Sequence, residues 1–248
     1  MTRVKICGCL RIDDALAAKG AGADFVGLMF ARDSRRRLSI EDAQAIIEAL
    51  GAPLRSLEQN EPPPLHHGVE GGAAEWFRHG AEALDRLLAR KRPLTVGVFE
   101  DQPLEDVNTI ADACGLDLVQ LSGRETWADC VLANRGVIKA VELPPGATGE
   151  DVVAGLEGGT ALACLLDVSR GRGIPVDRDA AAVVASRLPV WLAGGLTPEN
   201  VSDAVRRVRP WAVDVSSGVE TDGAKDAGKV RAFVEAAREA MSSVEGRT

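Results

Sequence analysis

Two side chains that can exchange protons stand at the ends of apolar segments in this chain. Cys7 ends an apolar segment near the start, and Asp167 ends another one much later. Two turns rich in glycine and serine, at 194–196 and 216–218, each follow a further apolar segment. Thiol and carboxyl groups act as general acids and bases, and glycine lets backbone amides approach a phosphate closely. These residue types therefore indicate acid–base chemistry on a phosphorylated small molecule.

Histidine and metal chemistry are both disfavoured by where the ionisable residues fall. His66, His67 and His79 all lie in one polar stretch, so the general base in the periodic part of the chain must be Cys, Asp, Glu or Lys. The five cysteines have no spacing typical of a zinc site. We therefore expect reduced thiols, a cytoplasmic protein, no metal and no cofactor.

Composition excludes several classes of partner. The 248 residues carry a formal net charge of −8, and no basic stripe is present, so a nucleic-acid partner is not expected. No run of 18 apolar residues occurs, so no membrane span is expected, and the first residues do not form a secretory signal. A phosphate must then be bound by local donors rather than by the overall field of an acidic protein.

Short apolar segments alternate with helical patterns along the chain. Continuous apolar segments of this kind are typical of parallel strands buried on both faces. The alternation fits a closed barrel or a doubly wound sheet, and eight units with site-like residues after the first, sixth, seventh and eighth strands favour a single (β/α)8 TIM barrel over 1–248. We predict strands at 3–7, 24–30, 94–99, 117–121, 137–141, 161–167, 189–193 and 211–216, and helices at 12–20, 40–50, 103–114, 125–135, 149–157, 177–187, 198–208 and 226–241.

One segment interrupts this alternation. Residues 51–93, between the second helix and the third strand, are too long for an ordinary connection. Its first part is rich in proline and predicts a loop, and an apolar stripe over 73–92 predicts an amphipathic helix. Three interpretations remain open: a helix packed on the floor or outer ring of the barrel, a subunit contact, or a metal-binding or regulatory role for the pair His66 and His67.

Several motifs together resemble one family of enzymes. They are Val-Lys-Ile-Cys-Gly at 4–8, the segments 22–30 and 34–39, the strands 97–99 and 119–121, and the closing segments 192–201 and 213–220. This set is similar to the phosphoribosylanthranilate isomerase family of tryptophan biosynthesis. The resemblance implies a (β/α)8 barrel and an Amadori rearrangement, in which an N-linked aminoaldose phosphate becomes an aminoketose without a cofactor.

The resemblance also implies roles for individual residues. Cys7 is expected to be the base and Asp167 the acid, although a buried core cysteine and a helix cap or ion pair are the plain alternatives. Arg36 is expected to bind the anthranilate carboxylate, with Arg35 and Arg37 as rivals. Asp214 is expected either at the anthranilate amine or inside the barrel. The other expected substrate contacts are Gln120 and a phosphate site made of Gly171, Gly173, Gly194, Gly195, Ser217 and Gly218.

Three departures from the family pattern bear on the substrate. Ser122 stands where most members have histidine, the run at 170–177 replaces a usual Gly-Gly-Thr-Gly-Lys, and Cys9-Leu10 replaces Leu-Thr. Two other hypotheses therefore stay open beside the tryptophan-pathway isomerase. One is a paralogous isomerase acting on another N-glycoside phosphate, and the other is a non-catalytic phosphosugar-binding barrel. A monomer and a homodimer are both compatible with the sequence.

Overall fold

Eight parallel strands close into a barrel in chain order, which confirms the predicted (β/α)8 TIM barrel. The computed structural model describes residues 1–54, 72–143, 146–167 and 177–245, with side chains as far as residue 240. The strands are β1 (Arg3–Cys7), β2 (Phe25–Met29), β3 (Leu94–Phe99), β4 (Leu118–Leu121), β5 (Gly136–Val141), β6 (Ala163–Leu166), β7 (Val190–Leu192) and β8 (Ala212–Val215).

Helices follow the strands around the outside of the barrel, and one further helix lies between α2 and β3. They are α1 (Ile12–Gly20), α2 (Ile40–Leu50), α3 (Gly72–Arg90), α4 (Leu104–Cys114), α5 (Trp127–Cys130), α6 (Gly149–Ala154), α7 (Arg178–Arg187), α8 (Val201–Val208) and α9 (Ala227–Glu245). After β8, a single 3₁₀ turn (Ser217–Val219) leads into a small hairpin of β9 (Glu220–Thr221) and β10 (Ala224–Lys225). None of the helices in the described ranges has the length and apolar character needed to cross a bilayer.

The helix predicted at 125–135 is wrong in length, because α5 ends at Cys130. The residues after it bond to α4 instead of extending their own helix. Asn108 on α4 donates to the carbonyl of Leu132 at 2.8 Å and accepts from the backbone amide of Asn134 at 2.8 Å. Leu132 is also 62% exposed, so no apolar stripe holds a longer helix against the barrel.

The helix predicted from residue 198 begins three residues later, at Val201. The side chain of Asn200 explains this start. Its amide oxygen accepts from the backbone amide of Thr197 at 2.9 Å, and its amide nitrogen donates to the carbonyl of Gly195 at 2.9 Å. Residues 197–200 therefore form a turn that holds the end of β7 next to the start of α8.

Successive side chains on each strand point to opposite faces of the barrel sheet, which separates two apolar layers. Val4 and Ile6 pack against the helices, so Lys5 and Cys7 face the barrel interior. Towards the N-terminal ends of the strands the interior is filled by apolar side chains, including Phe25 and Trp191, whose ring centroids lie 4.6 Å apart. The inward-facing polar residues Lys5, Gln120 and Asp214 lie nearer the C-terminal ends, where active sites of this fold are found.

The helix predicted at 73–92 is α3, and its apolar stripe lies against the barrel. Its Trp76 donates through Nε1 to the carbonyl of Ala161, just before β6, at 2.6 Å. Leu84 is fully buried in the interior cluster that also contains Leu94, the first residue of β3. The helix thus packs at the N-terminal ends of the strands, away from Cys7. His66 and His67 lie outside the described residues.

Candidate active site

Cys7 occupies a space that its neighbours leave open at the end of β1. Its partner on β2 is Gly27, and a Cβ atom there would lie 2.7 Å from the Cys7 sulfur. The hydroxyl of Ser216, just after β8, donates to the Cys7 carbonyl at 3.1 Å. The thiol is therefore placed by three adjacent strand ends, and Cys7 is 5% exposed at the mouth of the barrel.

Directly below the thiol lies a buried ion pair. Lys5 on β1 is in register with Asp214 on β8, and Lys5 Nζ lies 3.0 Å from Asp214 Oδ2. The ion pair holds the Asp214 side chain inside the barrel, and its place relative to a substrate stays a prediction. Its second oxygen, Oδ1, is buried and has no hydrogen-bond partner among the described residues. A buried unpaired acceptor is costly, so this oxygen is well suited to accept from a ligand.

Asp167 follows β6 directly, and its backbone amide donates to the carbonyl of Val141 at 3.1 Å. The residue is partly exposed and lines a cavity of about 490 Å³ together with Ser122 and Lys139. Its charge acts on Asp214, and the charge of Asp214 acts on Cys7. The expected acid and base therefore belong to one electrostatic cluster at the C-terminal ends of the strands.

Opposing effects act on the ionisation of Cys7. Burial has the largest effect and raises the pKa of the Cys7 thiol above its ordinary value. The nearby charges of Lys5 and Lys225 act to lower it. Burial raises the pKa of Cys9 and of Cys164 to about 12, and those of Cys114 and Cys130 to about 11. For Cys7, the effect of Lys5 is larger than that of Lys225.

Lys5 keeps its positive charge despite being fully buried. Burial by itself lowers the pKa of the Lys5 ammonium, but the charges of Asp214 and Cys7 outweigh this effect and hold the pKa above its ordinary value. Burial raises the pKa of Asp214, and Lys5 opposes that shift. The pair therefore provides a cation whose charge acts on the thiol.

Gln120 on β4 is also expected to contact the substrate. Its amide nitrogen donates to the hydroxyl of Ser122 at 2.9 Å, while its amide oxygen is buried without a partner. Ser122, the residue that replaces the family's histidine, thus orients the Gln120 amide and lines the same cavity as Asp167. The Ser122 hydroxyl is left able to donate one hydrogen bond of its own.

The three neighbouring arginines have different surroundings. The side chain of Arg36 is 13% exposed, and its Cδ lies 2.6 Å from the position that a Cβ on Gly8 would occupy. Arg36 is thus the arginine packed against the residue that follows Cys7. Arg35 is 65% exposed in its side chain, and Arg37 is exposed as well.

Glu220 holds the Arg36 side chain in place. Its two oxygens accept from Arg36 Nε at 2.8 Å and from Arg36 Nη2 at 3.0 Å. Lys225 Nζ lies 2.8 Å from the same carboxylate. The sequence predicted no role for Glu220, because its contacts join the loop after β2 to the hairpin after β8, and no local pattern indicates such a pairing.

The turns after β7 and β8 lie against each other, as a shared phosphate site requires. Gly194 and Gly195 have φ angles of 96° and 62°, which are accessible to glycine at little cost. A Cβ on Gly218 would collide with the carbonyl oxygen of Leu196, so the two turns approach closely. Ser217 is exposed beside them. Gly171 and Gly173 lie outside the described residues.

The charged side chains of the site are arranged for proton transfer and anion binding. Within the described ranges, no group of three or more His, Cys, Asp or Glu residues could hold a metal ion. The interior contains a thiol, a carboxylate, a buried ion pair and unpartnered acceptor oxygens on Asp214 and Gln120. Such an arrangement can transfer protons to and from a polar substrate. The substrate's own N–H and O–H groups can donate to the two unpartnered oxygens.

Comparisons with known proteins point to one family over most of the chain. The family model described as "N-(5'phosphoribosyl)anthranilate (PRA) isomerase" matches residues 72–236. A relative from Roseiflexus castenholzii (strain DSM 13941 / HLO8), named N-(5'-phosphoribosyl)anthranilate isomerase, is 43% identical over 245 residues, which cover 96% of this chain and 98% of the relative.

Solved structures agree with the sequence comparisons. Phosphoribosyl anthranilate isomerase from Thermus thermophilus has a TM-score of 0.70 and 33% identity, covering 98% of this chain and all of the other. A second phosphoribosyl anthranilate isomerase was solved in complex with reduced 1-(o-carboxyphenylamino)-1-deoxyribulose 5-phosphate. It has a TM-score of 0.69 and 31% identity, covering 96% of this chain and all of the other.

Proposed function

Because this chain belongs to the N-(5'-phosphoribosyl)anthranilate isomerase family, we propose that it rearranges N-(5'-phosphoribosyl)anthranilate to 1-(o-carboxyphenylamino)-1-deoxyribulose 5-phosphate in tryptophan biosynthesis, using Cys7 and Asp167. The observation that best supports these roles is the cluster formed by Cys7, Lys5, Asp214 and Asp167 at one end of the barrel. It places a thiol and a carboxyl group at the same mouth, as the chemistry requires.

The reaction needs one acid step and one base step. Asp167 gives its proton to the ring oxygen, the bond between that oxygen and C1′ breaks, and the open chain becomes a Schiff base. The Cys7 thiolate then removes the proton from C2′, which leaves an enol-amine. The enol-amine loses its hydroxyl proton and gains one at C1′, giving the ketone. Proton exchange returns Cys7 and Asp167 to their starting states, so the reaction is balanced.

The remaining contacts orient the substrate. Arg36 would bind the anthranilate carboxylate through the guanidinium N–H groups that do not contact Glu220. Asp214 Oδ1 would accept from the anilino N–H. The unpartnered oxygen of Gln120 would accept from a sugar hydroxyl. The phosphate would be bound by backbone amides of the turns, with Gly171, Gly173, Gly194, Gly195, Ser217 and Gly218 as the proposed residues.

A paralogous isomerase is the second candidate, and Ser122 is the observation that favours it. Ser122 lines the cavity beside Asp167 and holds Gln120, so it affects the part of the site nearest the acid. A serine and a histidine differ in size and in the charge that they can bear. Such a paralogue would keep the Cys7 and Asp167 chemistry and would act on a different N-glycoside phosphate.

Turnover of freshly made phosphoribosylanthranilate, followed by the loss of its fluorescence, tests the proposal. We expect Cys7→Ser and Asp167→Asn each to lower kcat by at least about 10²-fold, the usual contribution of general acid–base catalysis. Cys164→Ser is the matched control, because Cys164 is a fully buried thiol that faces the outer layer. Wild-type inactivity with retained phosphosugar binding would favour the paralogue, and unchanged turnover in both variants would disprove the assigned roles.

Three coarser proposals accompany this one. The whole of 1–248 forms a single barrel domain, whose helix α3 lies in the inserted segment. The protein acts in the cytoplasm, which its five unpaired cysteines support. It works as a monomer or a homodimer, and multi-angle light scattering at the assay concentration would distinguish the two.

A further inference from the structure

The barrel contains a fully buried lysine that the acid–base mechanism does not use. Lys5 has no exposed surface, although its side chain ends in a charged group. Burying an ammonium is expensive unless the charge is paired and hydrogen-bonded. Its position close to the mouth, where the chemistry is proposed, suggests a role beyond filling the barrel.

The backbone gives this ammonium two neighbours. Lys5 and Cys7 are two residues apart on β1, so their side chains emerge on the same face of the strand. The register between β1 and β8 sets Lys5 opposite Asp214, and the two side chains meet at 3.0 Å. The charge of Lys5 also acts on the Cys7 thiol. The cation therefore has both the carboxylate and the thiol as neighbours.

Charged groups from several elements surround Cys7, and those of Lys5, Asp214 and Lys225 act on its thiol. Lys5 comes from β1 itself, Asp214 comes from β8, and Lys225 comes from the hairpin after β8. Arg36 reaches in from the loop after β2 and packs against Gly8. Asp167, after β6, acts on Asp214 at the far side of the cluster.

Lys225 has other partners that use its ammonium. It donates to the carbonyl of Ser216 at 2.9 Å and lies 2.8 Å from a Glu220 oxygen, so its charge is compensated by that carboxylate. Arg36 is compensated by the same Glu220. Lys5 is the cation on the strand of the thiol itself, and its carboxylate partner Asp214 is buried with one oxygen that has no partner among the described residues.

We propose that Lys5 is a positioning residue for the base: its buried ammonium, held by Asp214, is the counter-ion that stabilises the Cys7 thiolate. The proposal rests on the function assigned to Cys7 above. It gives the buried ion pair a role in the reaction, because a thiolate in a water-poor barrel needs a fixed cation nearby. It also explains why β1 places a lysine two residues before the cysteine, on the same face.

The thiolate can be titrated directly, without substrate. The ultraviolet absorbance of the thiolate is followed against pH, and subtracting the titration of the same protein with Cys7→Ser isolates the Cys7 signal. We expect Lys5→Met to raise the midpoint by about 1–2 pH units, as loss of an adjacent opposite charge does. Lys5→Arg, which keeps the charge, should restore part of the difference. An unchanged midpoint in Lys5→Met would overturn the proposal.

Lys91→Met is the matched control. Lys91 is also a buried lysine, and its Nζ lies 2.6 Å from Asp117 Oδ2 at the N-terminal ends of β3 and β4. This variant removes a comparable buried ion pair far from Cys7. It should lower stability without moving the thiolate midpoint. An equal shift in both lysine variants would mean a general structural effect and would contradict the proposal.

Two further variants keep the test decisive if Lys5→Met folds poorly. Asp214→Asn alone should lower the Cys7 midpoint, because it removes a negative charge and keeps the cation. The double variant Lys5→Met with Asp214→Asn leaves no unpaired charge, and its midpoint should still exceed that of the wild type. A double-variant midpoint at or below the wild-type value would overturn the role of Lys5.

The titration tests the role of Lys5, and the turnover assay tests the proposed function, so the two proposals can be rejected separately. If the wild type turns over no phosphoribosylanthranilate but Lys5→Met still raises the midpoint, the substrate assignment is wrong and the pairing of Lys5 with the thiolate holds. If turnover depends on Cys7 but Lys5→Met has the same Cys7 titration midpoint as the wild type, the proposed function holds and the inference about Lys5 is wrong.

Discussion

At the scale of single residues, the site depends on small residues that leave room for reactive ones. Gly27 provides the space for the Cys7 thiol, and Gly8 provides the space for Arg36. A side chain at either position would compete with a group that has a role in the proposed reaction. Displacing a reacting group by about 1 Å can cost about 10²-fold in rate, even when the group itself is unchanged.

Replacing Gly27 with alanine should therefore reduce activity strongly without removing any proposed functional group. The new Cβ would lie 2.7 Å from the Cys7 sulfur and 3.0 Å from its Cα, so the thiol must move. We expect kcat to fall by about 10²-fold. Gly20→Ala is the control, since a Cβ there has no atom within 4 Å and should leave kcat unchanged. Equal kcat values for Gly27→Ala and the wild type would show that the thiol position is not critical.

Conservative substitution at 35, 36 and 37 identifies the arginine that binds the substrate. Arg36→Lys loses the planar fork that matches a carboxylate, and we expect KM to rise by about tenfold or more with a smaller change in kcat. Arg35→Lys and Arg37→Lys change exposed side chains and should leave KM close to the wild-type value. Steady-state kinetics on all three variants would settle the assignment, and a KM effect at Arg35 or Arg37 alone would reject Arg36.

At the scale of elements, the helices around the barrel differ widely in length. Helix α5 is a single turn of four residues, whereas the inserted α3 has 19 residues and lies at the N-terminal ends of the strands. The contact between α3 and the barrel is apolar at its centre and has polar contacts at its edges, such as Arg3 with Asp85 at 2.8 Å. Helix α3 therefore contributes to the core and lies apart from the site.

Truncating the centre of α3 should destabilise the protein and spare its chemistry. Leu84 is fully buried in the interior cluster, so Leu84→Ala should lower the free energy of unfolding by about 2–5 kcal/mol. Glu82→Ala changes a side chain that is 65% exposed and should have an effect near zero. Urea unfolding gives both values. A similar stability for the two variants would contradict the packing of α3 on the barrel.

At the scale of the whole molecule, charges hold the two ends of the barrel sheet together. Lys5 with Asp214 joins β1 to β8 in the interior, and Arg36 with Glu220 joins the loop after β2 to the hairpin after β8. Burial acts to raise the pKa of Glu220, but the hydrogen bonds from Arg36 and Lys225 outweigh it and hold that pKa below its ordinary value. The contribution of these contacts to stability is thus expected to depend on pH.

The sign of this linkage follows from the lowered pKa. A carboxylate with a depressed pKa in the folded state stabilises the protein fully above its unfolded pKa, about 4.3 for Glu, and this contribution is lost as the pH falls through the folded value. Glu220→Gln should therefore be less stable than the wild type at neutral pH, and the difference should shrink below about pH 4.

Urea midpoints measured across the acid range would check this expectation. Glu150→Gln is the control, because Glu150 pairs with Arg187 on the surface with 58% of its side chain exposed, and exposed pairs contribute little. A stability difference between Glu220→Gln and the wild type that persists unchanged at low pH would show that Glu220 does not act through its charge.

Local patterns in the sequence were enough to predict the barrel, the bounds of β1, and the presence of helix α3. Apolar segments and 3.6-residue periodicity reflect which face of an element is buried, and neighbours along the chain already encode this. The motifs at both ends of the chain were enough for the family resemblance, which the comparisons confirm. The roles of Cys7 and Asp167 stay predictions until the variants are measured.

Tertiary structure decided what depends on partners far away in the chain. Lys5 meets Asp214 across 209 residues only because β8 closes against β1 in one register. Likewise, α5 ends early because Asn108 on another helix takes the hydrogen-bonding groups that would have extended it. The sequence by itself determined which segments are buried and which residues stand at their ends. Closure of the barrel decided which charges meet, because pairing energies depend on distances that no local pattern contains.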